Sequence, residues 1–391
     1  MKKKKLAGIL LSVSLAAGTL AGCGDSEKSG GSDSDTIKIG ANLELTGGVA
    51  SYGQSVVEGM ELAITELNKE GIDGKKFKLI KYDNKSDAAE ATGGATKLTS
   101  QDKVSVMVGA ATSTNTLAQV QIANDRKIPL ITPTGTNADI TSKDGKVNDY
   151  VFRTCFIDPF QGTVAANFAK DNLKAKTAAI YTDSSSDYSK GLAAAFKEAF
   201  TEGGGTIVKE ESFVQKDTDF QATLTNIKSA KPDFVFVPAF YEEVGLILKQ
   251  ARESGIDVPF MGGDGWDSPK LIEIAGAEAL ENTFITNHYS AEDPDEKIQG
   301  FVSAFKAKYK DKSPDAFAAL GYDTAYFIAD AIKRAGGDAT PEKIKDALES
   351  TDGLALVSGK MKLDENHNPI KSASILKYVN GEQKFETKVN P

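Results

Sequence analysis

At 391 residues, with 40% hydrophobic and 26% charged side chains, the chain is long enough for about two domains and has the balance of an ordinary globular body, not that of a disordered or polytopic membrane protein. A formal charge of −9 disfavours nucleic acid or an anionic membrane surface as partner, so any anion site has to be local. The only cysteines are Cys23 and Cys155, and core burial has to hold the fold.

Lys2, Lys3, Lys4 and Lys5 precede an apolar run from Leu6 to about Leu15 and then Leu20-Ala21-Gly22-Cys23. Basic, apolar and small-residue segments in that order predict a secretory leader over residues 1–22. The apolar run is shorter than the roughly 20 residues that cross a bilayer, which argues against a membrane-spanning anchor. The Leu-Ala-Gly-Cys box resembles that of bacterial lipoprotein leaders, and the resemblance implies cleavage before Cys23 and a lipid on its sulfur. Loss of the leader removes four lysines and no acid, leaving a still more acidic protein. Residues 23–35, rich in Gly, Ser and Asp, read as a flexible tether with a reach of about 20 Å. Cys155 reads as a packed core residue, because neither His288 nor His367 stands in a motif that would activate it.

From Thr36 onward, β-like runs alternate with segments of helical period. Strands are predicted at 37–45, 77–82, 104–108 and 128–132, with helices about Val56–Leu67, Ala88–Leu98 and Leu117–Asn124 between them. An extended run at Tyr150–Thr154 ends this cycle, and a second begins. Helices at 160–173, 192–200, 220–227 and 244–251 alternate with strands at 178–182, 206–213, 234–237 and 258–261. A further extended run, 282–286, leads to helices at 298–309, 317–335 and 341–348, and strand character returns from Gly359, most clearly at 374–379. Parallel neighbours need crossovers, so single helices between short strands predict two α/β domains with parallel sheets.

In such sheets ligands bind beyond the carboxyl ends of the strands. The first domain offers Gly109–Thr116 and Thr132–Thr136 there, small hydroxyl residues and glycines at a helix start, whose amides and partial positive charge suit an anion. A plain helix cap at Thr112 or Ser113, and a simple proline turn, are the alternatives. The second domain offers Tyr181–Tyr188, Phe240-Tyr241-Glu242-Glu243 and Gly262–Trp266, aromatics and acids that suit a cation and an apolar group. Facing each other, the two sets describe an amino acid receptor. Burying both charges of a zwitterion requires charged or multiple hydrogen-bonding partners at each end.

The junctions carry a resemblance. Ile37-Lys38-Ile39-Gly40, Tyr52-Gly53 ahead of Gly59, Tyr82-Asp83-Asn84, Val108-Gly109 with its Ser113-Thr114 turn, Ile131-Thr132-Pro133, Phe152-Arg153-Thr154, Tyr188-Ser189-Lys190-Gly191, Gly245–Ala251 and Phe260–Gly265 are together similar to the type I solute-binding proteins of ABC transporters, in their leucine/isoleucine/valine-binding group. The resemblance implies a periplasmic-binding-protein-like type I α/β fold of two Rossmann-like lobes, residues 36–155 with 287–360 and residues 156–286 with 361–391. It implies three hinge crossings, near Arg153–Phe156, Thr283–Asn287 and Lys360–Asp364, and lobes that close on the ligand. It places the carboxylate-binding serine on Ser113, head-group contacts on Thr134 and Thr136, and the acid facing the ammonium on Asp264, where the family commonly has Glu. Side-chain-pocket positions fall on Tyr52, Tyr188, Phe240 and Tyr322. Trp266 stands where smaller residues are common and is expected to narrow the pocket. The cysteines of a first-lobe disulfide fall on Ser86 and Thr112, so that staple is absent.

The expected function is therefore a lipid-anchored, monomeric, extracytoplasmic receptor delivering a branched-chain amino acid to an ABC permease, without cofactor or metal. Another small carboxylate, an aromatic amino acid or a sensory role are the alternatives. An enzyme is not expected, because no phosphate-binding loop, nucleophile elbow or His-Glu-x-x-His motif occurs.

Overall fold

The computed structural model describes residues 35–390, so the leader, Cys23 and all but the last residue of the tether lie outside the described residues. The first half runs β1 (Thr36–Leu43), α1 (Ala50–Glu70), β2 (Lys76–Asp83), α2 (Ala88–Lys97), β3 (Val106–Gly109), α3 (Ser113–Arg126), β4 (Leu130–Thr132), a small hairpin of β5 (Ser142–Lys143) and β6 (Lys146–Val147), and β7 (Val151–Arg153). Its five-stranded sheet, ordered β2-β1-β3-β4-β7, is parallel throughout.

The second lobe begins with α4 (Asp158–Asp171), β8 (Thr177–Asp183), α5 (Asp187–Glu202), β9 (Thr206–Phe213) and α6 (Gln221–Ala230). It continues through β10 (Phe234–Phe236), α7 (Tyr241–Glu253), β11 (Phe260–Gly262), α8 (Pro269–Ala275) and β12 (Thr283–Asn287). Strands covered on both faces read as continuous apolar runs, and β10, Phe-Val-Phe, is buried at every position. The chain then returns to the first lobe with α9 (Glu296–Lys308), α10 (Ala316–Arg334), α11 (Pro341–Glu349) and the hairpin of β13 (Asp352–Leu356) and β14 (Gly359–Lys362). Finally β15 (Ala373–Val379) pairs antiparallel with β12, and β16 (Glu382–Val389) with β15, completing the order β16-β15-β12-β11-β10-β8-β9.

Helix α10 packs on α1 at backbone distance. A Cβ on Gly59 would lie 1.9 Å from the Ala318 carbonyl oxygen, and one on Gly321 would lie 2.2 Å from that of Val56, so only glycine fits at either side of this crossing.

Three passages join the lobes. The first and second follow β7 and β12. The third differs from the sequence expectation: Lys360–Lys362 belong to β14, and His367 stacks on Phe152 while its Nδ1 lies 2.9 Å from the Val151 carbonyl. The chain therefore stays against the first lobe past Asp364 and reaches the second sheet only at Ala373. Lys371 Nζ donates to the Thr154 carbonyl, which ties the third passage to the first.

Asp315 caps α10, accepting from the Ala318 amide at 2.9 Å and from the Ser55 hydroxyl at 2.6 Å. Burial, and then the charge of Asp267, push its carboxyl up to about 7. Between about pH 4 and pH 7 the unfolded chain releases this proton while the folded protein keeps it, so its contribution to stability falls as pH rises through that window. Chemical denaturation across that range is expected to show a shallower decline for Asp315→Asn, which keeps a good helix cap without a titrating group.

Candidate functional site

The carboxyl ends of both sheets face one another. Lobe-to-lobe hydrogen bonds draw them close: Ser51 and Ser268 hydroxyls at 2.8 Å, Tyr241 Oη to the Gly48 carbonyl at 3.1 Å, and Asn137 Nδ2 to the Asp187 carbonyl at 2.9 Å. Tyr52, at the start of α1, donates its hydroxyl proton to the Gly265 carbonyl and accepts from the Tyr241 amide at 3.3 Å. A cavity of about 10 Å³, room for one water, lies among Tyr52, Ser113, Thr134, Tyr188, Phe240, Asp264 and Phe317. Outside it the cleft mouth opens to about 370 Å³, flanked by Lys85 and Lys216 and by Glu242 and Glu243.

The walls are aromatic. Tyr52 stacks on Phe317 with ring centroids 4.2 Å apart, Tyr188 stacks on Phe240 at 5.3 Å, and Tyr52 meets Phe240 edge to face at 5.7 Å. Such rings hold shape at little entropic cost and favour an apolar group between them.

The start of α3 differs from the expectation. Its turn does receive a carboxylate, but it is the protein's own: Glu44, at the end of β1, is fully buried and accepts from the amides of Ala111 and Thr112 at 2.8 and 3.1 Å. The Thr112 hydroxyl and the Asn115 side-chain amide complete its shell, each at 2.8 Å. Thr112 therefore spends its hydroxyl on Glu44 and makes no side-chain cap. Ser113 stands clear of Glu44, and its Oγ accepts from the Asn137 amide at 3.1 Å, joining the two first-lobe junctions. Arg153 shapes the second of these from below, donating to the carbonyls of Gly135 and Asn137 at 2.8 and 2.9 Å. Thr134 is held by the Ala111 carbonyl at 2.7 Å, whereas the buried hydroxyl of Thr136 lies against Asp158.

Opposite them the turn after β11 presents Asp264. Gln161 on α4 fixes it by accepting from the Asp264 amide at 2.8 Å and from the Thr286 hydroxyl at 2.6 Å. Tyr188 Oη accepts from the Gly265 amide at 3.2 Å. A Cβ on Gly263 would lie 2.4 Å from Tyr188 Oη and 2.6 Å from Gln161 Oε1, so the turn passes there only as glycine. One carboxylate oxygen of Asp264, Oδ2, lies 3.1 Å from His288 Nε2 and the other, Oδ1, has no partner.

Asp158, in the first turn of α4, is a second buried acid, with the side chains of Thr136 and Gln161 its loose hydrogen-bonding neighbours. Burial, reinforced by the charge of Asp264, pushes its carboxyl far above the usual carboxylate range. Buried polar atoms are normally paired, so the partnerless Asp264 Oδ1 beside this cluster of hydrogen-bonding groups suits a polar guest.

The structure thus brings together Tyr52, Ser113, Thr134, Tyr188, Phe240 and Asp264, with Thr136 buried beside Asp158. Two expected members are elsewhere. Trp266 turns its indole into the second lobe, fully buried, with Nε1 donating to the Val237 carbonyl at 2.9 Å, so it narrows nothing. Tyr322 donates to Glu66 at 2.7 Å and packs on Phe301 and Tyr326, off the cavity. The sequence gives no sign that Asp158, Gln161 and Phe317 belong here, and it offers His288 only as a histidine outside any motif; Asp158-Pro159 looks like an ordinary helix start, and the others are joined to the site only by distant chain segments. Among the described residues no group of His, Cys, Asp and Glu could hold a metal ion, and no helix is long and apolar enough to cross a membrane.

The family model for periplasmic binding proteins matches residues 36–383. A leucine-, isoleucine-, valine-, threonine- and alanine-binding protein of Pseudomonas aeruginosa is 34% identical over 317 residues, 81% of this chain and 83% of that protein. Among solved structures, the branched-chain amino acid transporter substrate-binding protein of Streptococcus pneumoniae in complex with isoleucine aligns with TM-score 0.84 at 40% identity, over 91% of this chain and all of the other. A leucine-binding protein from Thermotoga maritima gives 0.86 at 38%, covering 91% and 99%. A solute-binding protein of an ABC transporter from R. palustris in complex with benzoate gives 0.83 at 27%, covering 91% and 97%.

Proposed function

The chain belongs to the periplasmic binding protein family, and from that membership we propose that it captures a branched-chain amino acid between its lobes for delivery to an ABC permease. The observation that carries this is Asp264 Oδ1, a buried carboxylate oxygen without a partner, in one cavity with Ser113 and Thr134 of the other lobe and beside a wall of four aromatic rings. In this reading Ser113, Thr134 and Thr136 take the carboxylate, Asp264 takes the ammonium, and Tyr52, Tyr188, Phe240 and Phe317 enclose the side chain. Asp158, biased by burial toward its neutral form, adds a hydrogen-bonding group. The partnerless carboxylate oxygen of Asp264 at this end favours a zwitterion over a bare carboxylate such as benzoate. Lobe opening admits the ligand, and the closed form is the one the permease recognises.

Binding without chemistry also fits Cys155, whose thiol donates to the Gly135 carbonyl and is pushed up to about 12 by burial, far from a nucleophile's range. We further propose that residues 1–22 are removed and that Cys23 carries lipid, holding a monomeric receptor at the outer face of the cell membrane on the 23–35 tether. Intact mass of the protein from its native membrane is expected to show a diacylglyceryl group on residue 23, and a free thiol there overturns the anchor.

Thermal denaturation against an amino acid panel tests the central reading. A ligand at 100 times its Kd adds about 2.7 kcal/mol of stability, so leucine, isoleucine or valine at that excess is expected to raise Tm clearly. A panel in which only aromatic amino acids or benzoate stabilise the protein moves the assignment to those ligands.

A further inference from the structure

Asp264 does not stand alone. Its Oδ2 meets His288 Nε2 at 3.1 Å, with both side chains almost wholly out of solvent. His288 is the first residue after β12, in the second passage between the lobes, and its ring stacks on Phe156 of the first passage with centroids 3.7 Å apart. Its backbone amide donates to Asn287 Oδ1 at 2.8 Å, while Asn287 Nδ2 donates to Asp267 at 3.0 Å. Asp267 in turn accepts from the Ala316 amide at the start of α10, in the other lobe, at 2.8 Å. The imidazole is thus fixed by both hinge passages and aims one nitrogen at one oxygen.

We propose that His288 is a positioning residue that, resting on the amino acid reading above, orients Asp264 so that Oδ1 alone meets the ligand's ammonium group. An aspartate is one methylene shorter than glutamate and has fewer torsions with which to find a cation, so a fixed donor on one oxygen sets the direction of the other. The acceptor on the Asp264 side puts the ring proton on Nε2 and leaves Nδ1, which has no partner, as the bare nitrogen. Asp264 and Asp267 face the ring from the second lobe and Lys371 from the third passage, with Asp158 beyond Asp264. Burial holds the imidazole pKa below its ordinary value, against the pull of Asp264. A neutral imidazole leaves the carboxylate's charge for the guest; an imidazolium would cancel it.

The geometry distinguishes two amides of like polarity. The side-chain nitrogen of glutamine reaches the place of Nε2, whereas that of asparagine stops about one bond short. Leucine titrated calorimetrically into His288→Gln is expected to bind within about threefold of the unsubstituted protein, and into His288→Asn about 10- to 100-fold more weakly. Tm values of the two ligand-free variants report whether each is folded, with His288→Asn expected to lie below His288→Gln because it also leaves Asp264 Oδ2 without its donor. Should His288→Asn not fold, His288→Phe, which keeps the stack on Phe156 without a donor, takes its place. Equal affinities for the Gln variant and its donor-less counterpart, whether strong or weak, overturn the proposal. Asp264→Ala keeps this test separate from the functional reading: retained leucine binding there removes Asp264 from the site, whereas lost binding there with equal His288 variants removes only His288.

Discussion

Replacing Asp264 with alanine is expected to weaken leucine binding at least about 100-fold. The ligand's ammonium would be drawn from water into a space whose other acid, Asp158, is biased by burial toward its neutral form. Leaving a buried charge without its partner costs about 3–5 kcal/mol, which is the origin of that factor. Tm of the ligand-free protein is the control for folding: the substitution removes the Oδ2 partner of His288 Nε2 and is expected to lower Tm modestly, with the variant still folded when it fails to bind. Affinity within about tenfold of the parent would mean that the ammonium sits elsewhere, with Asp158 the next group to substitute.

The second large effect falls on the scaffold. Glu44→Ala is expected to destabilise the protein by about 3 kcal/mol or more and to lower Tm by about 5 °C in calorimetry. Four donors, the amides of Ala111 and Thr112, the Thr112 hydroxyl and the Asn115 amide, would lose one buried acceptor at once. Binding should suffer too, because this shell sets the turn from which Ser113 projects. Glu44→Gln should recover only part of the loss, since its oxygen can keep the three donors at Oε1 but its nitrogen then faces the Ala111 amide. A Glu44→Ala protein as stable as the parent would show that water replaces the carboxylate freely there.

The sequence made the lobes and junctions legible because parallel sheets impose both: crossovers write an alternation of periods, and strand ends collect the loops that bind. Ser113, Thr134, Tyr188 and Asp264 could be located on that basis, helped by the family resemblance. What escaped was side-chain direction and long-range pairing. Tyr322 lies five positions after Phe317, about 140° around a helix, so one of the pair lines the cavity and the other leaves it. Trp266 sits in a short turn whose backbone alone decides which way the indole points. Glu44 reads as the polar end of a strand, and only the approach of β3 beside β1 discloses its four donors. The third passage was placed early because β14 and the turn after it have the same extended character as a crossing strand.

Trp266 is the chain's single tryptophan and is fully buried in the second lobe, two residues from Asp264. Intrinsic emission therefore originates at one address, against a background of tyrosines spread over both lobes. During denaturation the shift of that emission follows the second lobe alone, while circular dichroism averages the whole molecule. If the two curves coincide, the lobes unfold as one cooperative unit; if the emission curve runs ahead or behind, each lobe has a stability of its own.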